Sequence, residues 1–180
     1  MASIVDELLA SDEPSIRWKV RSRVLDEDTD SLSMRRLRAE IRTSPRVRRL
    51  IDGQASHGKG TYAKWVGRHW VLITLADLGY PPGDVELEPV VAKTLKTWLA
   101  PRYYAEYETR TKTYKPAVPV MNGRHRRCGS QHGGALYAIV KLGLHSGDAD
   151  RLVERLLHWQ WPDGGWNCSL RPEAKSSSVY

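Results

Sequence analysis

Long apolar segments are absent from this sequence, and its first residues do not form a secretory leader. No uninterrupted apolar run approaches the roughly 20 residues that a membrane-spanning helix needs. Residues 1–10 carry Asp6 and Glu7 instead of a basic region followed by an apolar core, so they do not resemble a signal peptide. The sequence therefore predicts a protein that is not integral to a membrane and has a cytoplasmic location.

Cysteine is scarce as well, because the chain contains only Cys128 and Cys168. Two cysteines are too few for a disulfide framework. In a cytoplasmic protein such a pair is more often reduced or metal-bound than bridged. The scarcity argues against a small secreted fold that is held together by disulfides.

The remaining composition is typical of one folded domain with a basic surface. The 180 residues are 41% hydrophobic, with a mean hydropathy of -0.52, which is enough for one substantial core. The net charge of +7 suits an acidic partner such as nucleic acid, a diphosphate or an anionic membrane surface, and it equally serves solubility. No recognised DNA-binding motif accompanies the basic stretch from Arg35 to Arg49, so a solvated or protein-binding helix face is favoured over nucleic acid.

Apolar periodicity and cap residues predict helices along most of the chain. N-terminal helices are expected within residues 13–52, where Pro14 and Pro45 each suit a first helical turn. From Tyr62 a mostly apolar pattern predicts a buried helix, and residues 87–99 form an amphipathic pattern typical of an outer helix.

The segment that follows has a different composition. It is rich in tyrosine, lysine and threonine, and it contains Pro116, Pro119 and Gly123. Prolines and glycines interrupt regular structure, so residues 108–127 are expected to form a long exposed loop.

One pattern occurs twice. Leu78-Gly79, three residues and Gly83-Asp84 recur as Leu142-Gly143, three residues and Gly147-Asp148, and each copy lies between an apolar and an amphipathic helix. Self-similarity on this scale predicts stacked helical hairpins, because each hairpin has an apolar side that only a neighbour can cover. The predicted repeat units are residues 53–107 and 128–168, followed by a tail at 169–180, all in a single domain.

A glutamine-tryptophan motif closes the second unit. It consists of Gln160, Asp163, Gly164 and Trp166, and Gln54 to Gly60 hold a degenerate copy that lacks the tryptophan. The glutamine amide is expected to bond free backbone groups at a helix end, and the tryptophan to pack across the junction. A structural role is therefore favoured over a catalytic one.

This motif resembles the QW repeat of squalene and oxidosqualene cyclases. The alternation of helices over Tyr62 to Trp166 is similar to the α/α toroid that these terpenoid cyclases share with protein prenyltransferase β-subunits, as in small bacterial members of that superfamily. The resemblance implies an all-α fold of helical hairpin repeats forming a partial α/α toroid. A complete ring needs more hairpins than this chain supplies. The chain is therefore expected to be a partial ring, a truncated relative, or half of an assembly that a homo-oligomer or another protein partner completes.

The resemblance also gathers reactive residues at one end of the assembly. The Asp-x-Asp-Asp acid of squalene-hopene cyclases is absent, so protonation-initiated cyclisation lacks its expected acid. His125, Cys128, His132 and Cys168 have a spacing that would permit zinc, which needs three or four such groups converging. Protein prenyltransferases do hold zinc, but with a ligand motif to which these residues do not align.

Each candidate residue has a second interpretation. Cys128 is either a nucleophile activated by His132 or a buried, inert thiol. His69 and Trp70 either line an aromatic pocket or pack in the core. The sequence thus predicts a pocket for an apolar or isoprenoid-like ligand with the reaction undefined. The alternative is a non-catalytic helical-repeat module for binding or protein interaction, so enzyme activity is left open.

Overall fold

The computed structural model describes residues 3–56, 60–112 and 115–179. About 54% of this described part is helical. The chain divides into two compact units: the first comprises Met1–Val90 and Ala138–Leu144, and the second comprises Val91–Tyr137 and His145–Tyr180.

The helices are short. The structure contains α1 (Ile4–Leu9), α2 (Pro14–Arg23), α3 (Leu32–Thr43), α4 (Pro45–Ser56), α5 (Arg68–Leu78), α6 (Glu88–Trp98), α7 (Pro101–Tyr104), α8 (Gly129–Lys141) and α9 (Gly147–Trp159). A 3-10 turn, Val85–Leu87, precedes α6. None of the helices in the described ranges is long and apolar enough to cross a membrane.

Side-chain caps explain where the N-terminal helices begin. The Ser3 hydroxyl accepts from the Asp6 backbone N–H, and the Asp6 carboxylate accepts from the Ser3 backbone N–H, which forms a capping box for α1. The Ser31 hydroxyl accepts from Met34 N–H at 3.3 Å and starts α3. Along α3 the buried residues are Met34, Leu37 and Ile41, the spacing of one apolar helix face.

The helix that was predicted to begin at Tyr62 begins at Arg68 instead. Residues 61–67 fold back in turns, where the Ala63 carbonyl accepts from Gly67 N–H at 2.7 Å and the Thr61 carbonyl accepts from His69 N–H at 3.1 Å. Val66, which contributed to the apolar pattern, is 40% exposed. The apolar periodicity therefore continued across a segment whose backbone is not helical.

The degenerate copy of the motif has no loop at its start, because α4 continues to Ser56 and includes Gln54. Residues 57–59 of that copy lie outside the described residues. The two copies of the Leu-Gly pattern are alike in backbone: Gly79, directly after α5, has φ of +83°, and Gly143, two residues after α8, has φ of +64°. Gly83 N–H donates to the Leu142 carbonyl at 2.8 Å.

Acidic residues of the first unit pair with part of the basic stretch. Arg48 donates to both carboxylate oxygens of Glu86 at 3.0 and 2.9 Å, and Arg42 donates to Asp84. The exposed members of the stretch include Arg35, Arg36, Arg46 and Arg49. Two of the arginines thus pair with acidic residues of the same unit, and these four exposed ones present a solvated face.

The second unit contains a sheet. It consists of β1 (Glu106–Glu108), β2 (Val118–Met121) and β3 (Arg124–His125), in the order β1-β2-β3. Strand β2 is parallel to β1, with Glu106 opposite Val118, and antiparallel to β3, with Val120 opposite His125. All four residues of β2 are buried.

The predicted all-α class is therefore wrong, and the partial α/α toroid is not confirmed. The structure is mostly helical but holds a mixed three-stranded sheet. Strands β2 and β3 lie in the segment predicted to be a long exposed loop, whereas β1 begins just before it, and the middle strand is buried on both faces. Composition misled the prediction, because Pro119 and Gly123 are a strand and a turn residue here.

Candidate functional site

The sheet and the last helix bring three potential ligands together. Glu106 is the first residue of β1, His125 is the last residue of β3, and His158 lies in the final turn of α9. The Glu106, His125 and His158 side chains are 28%, 16% and 51% exposed. The cluster is thus partly shielded and open to solvent on the His158 side.

The two imidazoles converge on one carboxylate. His125 Nε2 lies 3.1 Å from Glu106 Oε2, and His158 Nε2 lies 3.2 Å from Glu106 Oε1. The imidazole ring centroids are 4.6 Å apart, and one ligand atom from each residue lies within 4.8 Å of the other two. In a tetrahedral zinc site with bonds of about 2.0–2.2 Å, ligand atoms are separated by about 3.3–3.5 Å. The spacing fits a metal ion with small adjustments.

Two further groups hold the Glu106 carboxylate. The Trp159 indole N–H donates to Oε1 at 2.9 Å, and Arg155 donates to the same oxygen at 3.0 Å. Burial acts to raise the pKa of Glu106, but the hydrogen bonds from Trp159 and His125 and the nearby imidazoles outweigh it, so the pKa is below its ordinary value. The carboxylate is therefore ionised at neutral pH, as a metal ligand must be.

The four residues predicted to bind zinc do not meet as a group within the described part of the chain. His125 belongs to the cluster with Glu106 and His158. The Cys128 thiol lies 2.9 Å from the Ser130 hydroxyl and interacts electrostatically with the Cys168 thiol. His132 is fully buried, with its ring 5.0 Å from that of Trp98 and 5.3 Å from that of Trp159.

The Cys128 and Cys168 thiols face an arginine. Both are free thiols, and both interact electrostatically with the guanidinium of Arg127. Burial raises the pKa of Cys168, and the neighbouring Cys128 raises it further. Cys168 is thus a protonated thiol at neutral pH, and the nucleophile hypothesis for Cys128 and His132 stays a prediction.

The predicted pocket residues lie in an aromatic cluster of the first unit. His69 is 1% exposed, and its ring contacts those of Tyr62 at 4.9 Å and Trp70 at 5.1 Å. Trp70 also contacts Trp65 at 4.7 Å, and Trp65 is 67% exposed. His69 therefore occupies a core position, and a pocket for an apolar ligand at this cluster stays a prediction.

Burial of His69 makes folding dependent on pH. It lowers the pKa to about 4 from an ordinary 6.5. The folded state favours the neutral imidazole. The contribution of His69 to the free energy of unfolding is therefore fully present above pH 6.5 and is lost as the pH falls from 6.5 to about 4. We expect a loss of up to about 3 kcal/mol over that range, measured by urea unfolding. His69→Gln should remove this part of the pH dependence, whereas His145→Gln, at an exposed site, should keep it. Equal pH dependence in wild type and His69→Gln would contradict the prediction.

The glutamine-tryptophan motif makes its bonds to the backbone. Gln160 Nε2 donates to the Gly164 carbonyl at 2.6 Å, and the Trp166 indole donates to the Leu156 carbonyl at 2.8 Å. Asp163 accepts from the backbone N–H and the hydroxyl of Ser177 at 2.7 and 2.6 Å. These contacts tie the loop to the end of α9 and to the C-terminal segment.

Sequence reasoning missed Glu106 and His158. Glu106 stood in the tyrosine-rich segment just before the predicted loop, and His158 stood on an amphipathic helix, where a polar residue near the end is ordinary. The signal that the sequence did offer was residue type, because histidine and carboxylate side chains are common zinc ligands. Their partnership depends on the strand that was not predicted.

Comparisons with protein-family models, with curated proteins and with solved structures find no match for this chain.

Proposed function

We propose that the protein binds zinc through Glu106, His125 and His158. The observation that supports this proposal is the convergence of both Nε2 atoms on the Glu106 carboxylate at 3.1 and 3.2 Å. Two imidazoles and a carboxylate are a ligand set that zinc accepts. This set differs from the cysteine-containing one that the sequence spacing would permit.

The surrounding hydrogen bonds suit a metal-bound carboxylate. Arg155 and the Trp159 indole both donate to Oε1, so Oε2 can bind the ion while Oε1 keeps these partners. Hydrogen bonds of this kind orient a ligand and tune its basicity. His158 then needs to turn only from the carboxylate towards the ion, and it has room to do so because it is half exposed.

Three protein ligands leave one position of a tetrahedral ion open. Sites of this kind bind water or a substrate oxygen at the fourth position, whereas structural zinc sites use four protein ligands. When bound, zinc would supply Lewis acidity and a water of lowered pKa. The partly open His158 side of the cluster is where such a molecule would approach.

Zinc titration of metal-stripped protein tests the proposal. Wild type is expected to bind one zinc ion per chain in competition with a chromogenic indicator, and His158→Ala to weaken binding by about 100-fold or more, exceeding the 10- to 100-fold effect of losing an outer partner. The matched control is His145→Ala, because His145 also pairs with a carboxylate, Asp150, at 3.0 Å but has no third ligand in the described cluster.

A second variant separates this site from the one predicted by sequence. Cys128→Ser should leave zinc affinity unchanged, because the thiol is not among the three converging ligands. If Cys128→Ser loses zinc while His158→Ala retains it, the cysteine-containing set is correct and the proposal fails. Absence of zinc binding by wild type also overturns it.

A further inference from the structure

The extended segment that carries His125 also presents two arginines. Arg124 and Arg126 flank His125, and side chains alternate between the faces of an extended chain. Both guanidiniums lie over the indole of Trp161, at 5.1 Å for Arg124 and 4.7 Å for Arg126. Trp161 is 3% exposed, and its N–H donates to the His125 carbonyl at 2.8 Å. The arginines are thus fixed on a rigid aromatic surface, away from the zinc ligands.

A cleft of about 250 Å³ opens beside these arginines. Its lining residues are Asn122, Arg124, Arg126, Pro172, Ala174 and Lys175. Three of these side chains are cationic, and none is a carboxylate. The cleft is smaller than the roughly 300–1,000 Å³ of pockets for drug-sized ligands, so its size suits a small anion.

Arg126 is the buried member of the set. The residue is 3% exposed, and both terminal nitrogens donate to the Ala174 carbonyl, at 3.3 and 3.4 Å. Its Nε is buried and has no hydrogen-bond partner among the described residues. A neutral carbonyl satisfies N–H groups but leaves the buried charge uncompensated, which is costly.

Arg124 and Lys175 complete the cationic wall. Arg124 donates to the Lys175 carbonyl at 2.6 Å, and no ion pair involves Arg124, Arg126 or Lys175 among the described residues. Hydrogen bonds to backbone carbonyls are enough to hold residues 172–175 in place. That structural role does not explain why three cationic side chains face one cavity. An anion with more than one negative charge supplies the compensation that the backbone carbonyls cannot.

We propose that this cleft binds a phosphoryl group, as inorganic phosphate or as a diphosphate. Guanidinium groups match phosphate oxygens with paired N–H donors, and charge-assisted bonds of this type are among the stronger hydrogen bonds in proteins. None of the three proposed zinc ligands lines the cleft, so anion binding does not depend on zinc being bound.

Calorimetric titration of the full chain with inorganic phosphate and, separately, with diphosphate tests the proposal. A neutral zinc chelator, 1,10-phenanthroline, keeps metal from contributing. Saturable binding that weakens as salt is raised is expected. Tighter binding of diphosphate identifies it as the ligand, and equal binding identifies a single phosphoryl group. No saturable binding of either anion overturns the proposal.

Matched variants locate the binding. Arg124→Gln, at a half-buried position, should weaken the tighter anion by about tenfold or more, the loss expected for one charged hydrogen bond, and Lys175→Gln should weaken it as well. Arg151→Gln removes the same charge from an arginine that pairs with Asp148 on α9 and should change affinity less than about twofold. Circular dichroism verifies that each variant is folded. If a folded Arg124→Gln protein binds the anion as tightly as wild type, the anion does not bind in this cleft and the proposal fails.

Discussion

Trp159→Ala is expected to lower the free energy of unfolding by about 3–5 kcal/mol, the usual cost of removing a buried tryptophan side chain. Trp159 is completely buried, its ring contacts that of His132, and its indole N–H donates to Glu106. Alanine would leave a cavity and would also remove a donor from the partly buried carboxylate. Urea unfolding followed by circular dichroism measures the change.

Trp159→Phe separates the two contributions. Phenylalanine keeps an aromatic ring in the core but lacks the N–H group, so we expect a smaller loss of about 1–3 kcal/mol, in the range of a hydrogen bond to a charged group. Zinc binding should persist in this variant, with weakened affinity, because all three proposed ligands remain. An alanine variant within about 1 kcal/mol of wild type would show that the site collapses without cost, contrary to the expectation.

Gly79→Ala is expected to destabilise the first unit by about 2–5 kcal/mol. Gly79 ends α5 with φ of +83°, a conformation that costs other residues about 1–2 kcal/mol. A Cβ atom there would also lie 2.5 Å from the Trp18 ring. Trp18 is 8% exposed and has little room to move, so the overlap adds about 1–3 kcal/mol. The loss is measured as a shift in urea midpoint.

Gly83→Ala provides the matched control. Gly83 has φ of +77°, and nothing lies within 4 Å of the position of its Cβ, so this variant should lose only the conformational part of about 1–2 kcal/mol. A smaller residue at position 18 should then relieve the overlap: Gly79→Ala should cost less in a Trp18→Leu background than in wild type. Equal losses for the two glycine variants would contradict a clash with Trp18.

Helices were the part of the fold that the sequence could predict. Ser31 and Ser44 cap their helices through local hydrogen bonds, and the spacing of Met34, Leu37 and Ile41 marks a buried face. Both signals depend on residues three to seven positions apart. Local chemistry was enough to place α3, although it failed to show where α5 begins.

The sheet could not be predicted because Pro119 argued against it. Proline is rare in a middle strand, since it lacks the N–H group that a ladder uses. Here neighbouring residues supply the ladder: Val118 N–H donates to the Ala105 carbonyl at 2.7 Å, and the Pro119 carbonyl accepts from Arg126 N–H at the same distance. The strand therefore forms without requiring the missing donor.

The candidate site could not be predicted for the same reason as the sheet. His125 was identified as a ligand candidate, but its partner Glu106 is 19 residues earlier in the chain and stands on the strand that was not expected. Cys128 and Cys168 were expected to converge with His125, but they are not among the three groups that meet at Glu106. Spacing in the sequence identified the residue types correctly but could not show which of them face one another.

The hydrogen bonds of the glutamine-tryptophan motif and of the adjacent Trp161 bear on how evolutionary relationship is inferred from such a motif. Gln160, Trp161 and Trp166 all donate to main-chain carbonyls, and every amino acid has such a carbonyl. These three bonds place no demand on the side chains of the residues that accept them, in contrast to the bond between Asp163 and the Ser177 hydroxyl. Two proteins that share the motif share the backbone conformation of this loop, and this likeness does not require a common active site or reaction.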